Sequence, residues 1–259
     1  MAKKAFIIDV GICNGCHNCQ IACKDEHCDV AWAPYTAPQP DTGQFWCKVD
    51  QTVHGTVPKV NITYMPRIGA QDEALVAYAP DVVYEREDGI VVIDPEKARG
   101  RKDLSEKFEG VYWNEELQVP QGCAGCAHLL DDGWEVPRCV DSCATGALRF
   151  VDVEEAADEL EACEKLSDGA HVYYKNLPKR WVAGQVVDAL ENEVVIGAKC
   201  ILRRDGDVVA ETTTDEFGDF WFRQVEPLEY KVVVEVEGRD PRTLEADAVE
   251  ADVNLGRID

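Results

Sequence analysis

The chain has 259 residues, 46% of them apolar, enough for one large domain or two ordinary ones, so a disordered chain is not expected. Fifty acidic against 26 basic side chains leave a formal charge of −24, which argues against nucleic acid or an anionic membrane as partner. Solubility is the plain reading of that acidity, and a basic docking partner the sharper one.

Residues 5–10 (AFIIDV) predict a short buried strand leading straight into a cysteine-bearing loop, and 20–27 a short helix. Residues 82–94 give the clearest hairpin, two β-rich runs joined by Asp88-Gly89. Pro95 opens a basic, helix-compatible stretch to about position 108. Residues 147–151 predict the strand that pairs with 5–10, residues 153–166 an acidic helix, and 171–174 another short strand. From Trp181 the texture changes to short alternating runs: WVAGQVVD, GAKCILRR, DVVAETTT, GDFWFRQV, EYKVVVEVEG and DVNLGRI. Asp205-Gly206 and Phe217-Gly218-Asp219 supply turns at the spacing of a β-sandwich. The fold class is therefore α+β, with a cysteine-rich domain over 1–177 and an all-β sandwich over 178–259, divided near Leu177-Pro178.

The first residues, MAKKAFIID, contain neither an apolar signal core nor a twin arginine, and no apolar run is long enough for a membrane span. A cytoplasmic location is expected, with export on a signal-bearing partner left open.

Cys13, Cys16, Cys19 and Cys23 are spaced C-x2-C-x2-C-x3-C, and Cys123, Cys126, Cys139 and Cys143 repeat the run with a longer gap before the third member. Three thiolates on a tight loop wrap one cubane iron–sulfur cluster, while the fourth, carried off on the following helix, reaches a neighbouring cluster. Exchange of this kind groups Cys13, Cys16, Cys19 and Cys143 around one 4Fe–4S cluster, and Cys123, Cys126, Cys139 and Cys23 around the other. Two structural zinc sites, or one intact cluster beside a decayed second, are the competing readings. Zinc is disfavoured because its sites use two separated C-x2-C knuckles or a histidine, whereas the first run packs its cysteines together. Gly15, Ala124 and Gly125 keep the loops small. The proline that often follows the fourth cysteine is replaced by Lys24 and Ala144. Cys28, Cys47, Cys163 and Cys200 read as buried or half-buried small hydrophobes, and His17 and His128 as packing or capping residues.

The first cysteine run, GCAGCAHLLDDG with its trailing PRCVDSCATGAL, and HVYYKNLPKRWVAG resemble the iron–sulfur (beta) subunits of the DMSO reductase family of molybdopterin enzymes. YEREDGIVVIDPEKARGRK and VYWNEE are similar to its transhydroxylase-type and catechol dehydroxylase-type members. The resemblance spans essentially the whole length. It implies a ferredoxin-like domain followed by a transthyretin-like, Ig-like or carboxypeptidase-regulatory-like sandwich, carried by GQVVD, GAKCIL, TDEFGDFWF and EYKVVVEVEG.

Members of that family usually carry four cysteine runs, but here no cysteine lies between Cys47 and Cys123. The retained runs correspond to the outer pair, which exchange ligands with each other, so the resemblance implies two clusters. It also implies a large catalytic partner holding a molybdenum or tungsten bis-pterin guanine dinucleotide (bis-MGD), touching this chain near the cluster of Cys13, Cys16, Cys19 and Cys143. Hydroxyl transfer or reductive dehydroxylation of polyhydroxylated aromatics would then occur in the partner, and this chain would transfer electrons without catalysing. A free-standing, diffusible ferredoxin-type carrier is the alternative. A protein in which metal only holds the fold together is a third.

Overall fold

The computed structural model describes residues 2–27, 44–54, 61–69, 73–166 and 171–259. Cys28 lies outside them. The chain divides into two compact units, Met1–Gln51 with Tyr64–Leu177, and Thr52–Thr63 with Pro178–Asp259. Among the described residues no helix is long and apolar enough to cross a membrane.

In chain order the first unit and its hairpin contain β1 (Lys4–Asp9), α1 (Asn18–Glu26), β2 (Cys47–His54), β3 (Asn61–Ile68), α2 (Glu73–Tyr78), β4 (Val83–Glu85), β5 (Val91–Ile93), α3 (Asp103–Lys107), β6 (Tyr112–Asn114), β7 (Val119–Gln121), α4 (Ala127–Asp131), α5 (Arg138–Asp141), β8 (Leu148–Asp152), α6 (Ala157–Glu161) and β9 (Val172–Lys175). β1 is the centre of a three-stranded sheet, antiparallel to β8 and parallel to β9. Its near-continuous apolar run follows from burial on both faces. Phe6 and Ile8 point into a core that contains the cysteine-bearing helices, while Ala5 and Ile7 pack against Leu160 on the other side. The pairing of β1 with β8 runs from Lys4 opposite Asp152 to Ile8 opposite Leu148, which is the partnership the sequence predicts.

Two predicted helices shrink. Of residues 153–166 only α6 is helical. Glu154 and Asp158, and Glu155 and Glu159, place like charges four apart, which weakens a helix there. Beyond it Glu164 bridges to Tyr174 in extended form through hydrogen bonds of 2.9 and 2.7 Å. Of residues 95–108 only α3 is helical. Asp94 accepts the N–H groups of Glu96 and Lys97 at 3.1 Å each, and Gly100 turns at a φ of +84°, so the chain enters turns before the helix starts.

The second unit adds β10 (Arg180–Asp188), β11 (Glu193–Val194), β12 (Lys199–Arg204), β13 (Asp207–Thr213), β14 (Asp219–Val225), β15 (Glu229–Glu235), β16 (Arg242–Asp247) and β17 (Val253–Ile258). One sheet runs β11-β10-β14 with β17 parallel to β10, and the other runs β13-β12-β15-β16. Val182, Val186, Phe220 and Phe222 from the first meet Cys200, Leu202, Val232 and Val234 from the second in one apolar core. The two-residue spacing of these side chains is the alternation the sequence displays. The architecture is thus a helix-and-strand region followed by an all-β region of more than one sheet.

Candidate metal centre

β1 delivers the chain to the first loop. A single 3-10 turn, Val10–Ile12, ends the strand, with the Asp9 carboxylate accepting the Gly11 N–H at 3.0 Å. Asn176 Nδ2 donates to the same oxygen at 2.7 Å and fixes the exit. In both cysteine loops the residue before the second cysteine is a glycine in the left-handed region, Gly15 at a φ of +70° and Gly125 at +57°. The N–H of Gly15 points at the Cys13 sulfur, and that of Gly125 at the Cys123 sulfur. Turns of this kind gather backbone N–H groups into a concavity suited to an anionic ligand. Each glycine is also covered. A Cβ on Gly15 would lie 2.3 Å from the Tyr64 ring, and one on Gly125 would lie 2.9 Å from the Ile90 side chain.

The first loop feeds α1, and the second feeds α4 and then, after a connection, α5, which packs against α1. Cys19 and Cys23 stand four residues apart on α1, and Cys139 and Cys143 repeat that spacing along and just beyond α5. Residues four apart share one helix face, so each helix presents two sulfurs to the other. Cys13 consequently has Cys19, Cys143 and Cys16 as electrostatic neighbours, while Cys123 has Cys23, Cys139 and Cys126. Cys23, although it belongs to the first run, lies with Cys139 and Cys126. The structure therefore brings the eight cysteines into two groups, each with three members of one run and the fourth of the other.

Burial and mutual repulsion both oppose ionisation here. Burial, then the nearby Cys139 and Cys126, push Cys23 up to about 12. Burial pushes Cys126 to about 11, opposed by the Arg138 N–H. Cys13 and Cys123 are raised by burial first and by their neighbouring sulfurs after it. Four thiolates at such spacing need a compensating cationic core, because a metal reverses this local charge balance.

The donor set fits iron–sulfur clusters. The described cysteines are all free thiols. Backbone N–H groups are aimed at the sulfurs: Leu148 at Cys143 (3.4 Å), Gln20 at Cys19, Arg138 at Cys126 and Cys47 at Cys23. Such bonds stabilise the reduced, more negative state of a cluster. Trp46 Nε1, packed against the same core, is buried without a hydrogen-bond partner among the described residues. Among the described residues no three His, Cys, Asp or Glu side chains converge to hold a single metal ion.

Neighbouring elements brace the second loop. Arg86, at the end of β4, grips Asp131 at the end of α4 with two hydrogen bonds of 2.7 and 2.9 Å and also bonds the buried Asp88. This ties the β4–β5 hairpin, and with it Ile90, over Gly125. A small cleft lined by Lys4, Phe6, Ile90, Cys123, Gly125 and His171 opens beside the loop.

The other cysteines differ among themselves. Cys200 is buried in the sandwich core, where desolvation pushes it to about 12, and Cys163 is half-buried with its thiol donating to the Glu159 carbonyl at 3.1 Å. Cys47 is buried too, but against Cys19 and Cys139, a placement that no C-x-x-C spacing announces. His17 occupies a left-handed position before α1 and makes no side-chain cap. His128 bonds Glu26 at 3.1 Å and rests edge-on against His27.

Residues 70–153 match the 4Fe-4S dicluster domain family, and residues 182–256 match the Carboxypeptidase regulatory-like domain family. The chain is 36% identical to the pyrogallol hydroxytransferase small subunit of Pelobacter acidigallici, across 92% of this chain and 93% of that protein. It is 27% identical to a tetrathionate reductase subunit of Salmonella typhimurium, across 74% of this chain and 81% of that one. A sulfite dehydrogenase subunit of Allochromatium vinosum is 29% identical, across 62% of this chain and 73% of that one. The cofactors of the present chain are two 4Fe–4S clusters. With two crossed cysteine groups and a near-full-length relative, the chain belongs to the iron–sulfur (beta) subunits of the DMSO reductase family.

Proposed function

We propose that this chain is the electron-transfer subunit of a complex whose larger partner holds a molybdenum bis-pterin guanine dinucleotide and acts on polyhydroxylated aromatics. The relationship to a pyrogallol hydroxytransferase small subunit along nearly the whole chain carries the reading. The chain itself is non-catalytic. The reaction in the partner is transhydroxylation or reductive dehydroxylation.

Within the chain, Cys13, Cys16, Cys19 and Cys143 hold one cluster, and Cys123, Cys126, Cys139 and Cys23 hold the other. The grouping of their sulfurs supports this assignment. The clusters accept and release single electrons. The protein sets their spacing through α1 and α5, covers the loops with Tyr64 and Ile90, and directs N–H groups at the sulfurs. The iron–sulfur domain occupies 1–177 except for Thr52–Thr63, which group with the sandwich of 178–259, and we read that sandwich as transthyretin-like from the paired sheets and the family match. The partner docks where the first loop reaches the surface, since Cys16 is exposed there beside the outward-facing Ile12 and Ile21. A reducing compartment, the cytoplasm, suits these thiols.

Anaerobic purification tests the reading. The chain should copurify with a subunit several times its size and contain about eight irons and eight sulfides, four for each cubane. A stable lone monomer reduced at the same rate as the complex, or about twelve irons per chain, would overturn it.

A further inference from the structure

Cys47 opens β2 and belongs to neither cysteine run. It is only 2% exposed and sits in the same packed core as Cys19, Cys23 and Cys139. Its side chain packs beside those of Cys139 and Cys19, one from each group of four, in that core. Its backbone N–H meanwhile reaches Cys23. Of the described cysteines outside the two runs, Cys163 gives its thiol to a backbone carbonyl and Cys200 lies in the sandwich core.

We propose that Cys47 is a positioning residue between the two clusters, its thiol proton shared between the sulfurs of Cys19 and Cys139, so that it raises and couples their reduction potentials. The proposal rests on the assignment of the eight cysteines to two clusters. One S–H carries one proton and bonds one acceptor at a time. The better acceptor is the sulfur with more negative charge, which is the ligand of whichever cluster holds the electron. Rotation about the Cβ–Sγ bond turns the donor toward that sulfur, and no covalent bond forms or breaks. A hydrogen bond to a ligand sulfur favours the reduced cluster and raises its potential. An apolar side chain of similar size would fill the same space without favouring either oxidation state. The two groups of four are each complete without Cys47, so a ligand role is not needed to explain its place.

The test uses the full chain with its clusters in place. Iron content and EPR-monitored redox titrations are compared for the native chain, Cys47→Ala, Cys47→Ser and, as a control, Cys200→Ala. All four should hold about eight irons. Cys47→Ala should move both midpoint potentials to more negative values, Cys47→Ser should return them to or above the native values, and Cys200→Ala should leave them unchanged. Unchanged midpoints in a fully loaded Cys47→Ala overturn the proposal. Loss of a cluster in Cys47→Ala with recovery in Cys47→Ser also overturns it, because Cys47 would then be a ligand. Should the alanine variant not fold, Cys47→Val, apolar and of similar size, takes its place: midpoints shifted negative support the proposal, and unchanged midpoints overturn it. A native chain with a single cluster removes the underlying assignment instead, which iron content reveals before any potential is read.

Discussion

The Tyr64 ring lies directly on Gly15, so closely that a Cβ added there would stand 2.3 Å from Tyr64 Cδ1. Gly15 also holds a φ of +70°, where a side chain is strained without any neighbour. Gly15→Ala therefore meets two penalties, each about 1–3 kcal/mol, one for the backbone and one for the overpacked contact. The expected product carries about four irons rather than eight, having lost the cluster of the first loop. Adding Tyr64→Ala removes the contact but not the backbone strain, so it should restore only part of the iron. An alanine variant with full iron and native melting would contradict the account.

Cys23 makes a sharper test, because it belongs to the first run in sequence yet lies beside Cys126 and Cys139. Cys23→Ala and Cys123→Ala should abolish the same EPR signal. Cys143→Ala and Cys13→Ala should abolish the other. Each variant should keep about four irons. If Cys23→Ala instead matched Cys13→Ala, the helices would not exchange their fourth cysteines.

How far these features can be read in the sequence depends on whether they are local. The pairing of 5–10 with 147–151 is visible because each is a short apolar run flanking a cysteine run, and the Asp88-Gly89 hairpin because its turn chemistry is local. The cysteine spacing likewise names eight candidates. Cys47 carries no such signature: its neighbours in the core come from α1 and α5, far away in the chain. Tyr64 on Gly15 and Ile90 on Gly125 are contacts of the same non-local kind. β16 escapes notice because only Leu244 and Ala246 break its polar run, and pairing with β15 supplies the rest of its stability.

His171 lines the cleft beside Cys123, and burial holds its imidazole below the ordinary histidine range, with Glu85 opposing. A depressed histidine stays neutral in the folded chain while the unfolded chain takes up the proton near pH 6.5. Its contribution is therefore complete above about pH 6.5 and is lost as pH falls through the lower, folded value. His171→Gln should remove this slope, so the difference in melting temperature between the two chains should shift in favour of the variant between pH 7 and pH 5. A constant difference across that interval would show that His171 does not titrate with unfolding.

His54 closes β2 within the second unit and is 3% exposed. Its ring stacks on Trp181 at a centroid distance of 4.4 Å and an interplanar angle of 9°. Nδ1 pairs with the Asp252 carboxylate, and Nε2 lies 2.9 Å from Thr63 Oγ1. The other oxygen of Asp252 accepts the backbone N–H of Trp181 at 3.0 Å, so one carboxylate ties the imidazole to the start of β10. A neutral ring satisfies both ends when Nδ1–H donates to Asp252 and Nε2 accepts from the threonine hydroxyl. His54→Phe keeps an aromatic stack but strands these partners, which should cost about 1–3 kcal/mol. His54→Ala also leaves a cavity beside Trp181, raising the loss to about 3–5 kcal/mol. Hydrogen exchange along Arg180–Asp188 measures it locally, and protection should fall in that order while iron content stays at its native value. Equal protection in all three chains would mean that the ring only fills space. Loss of iron would mean that its influence extends to the clusters as well.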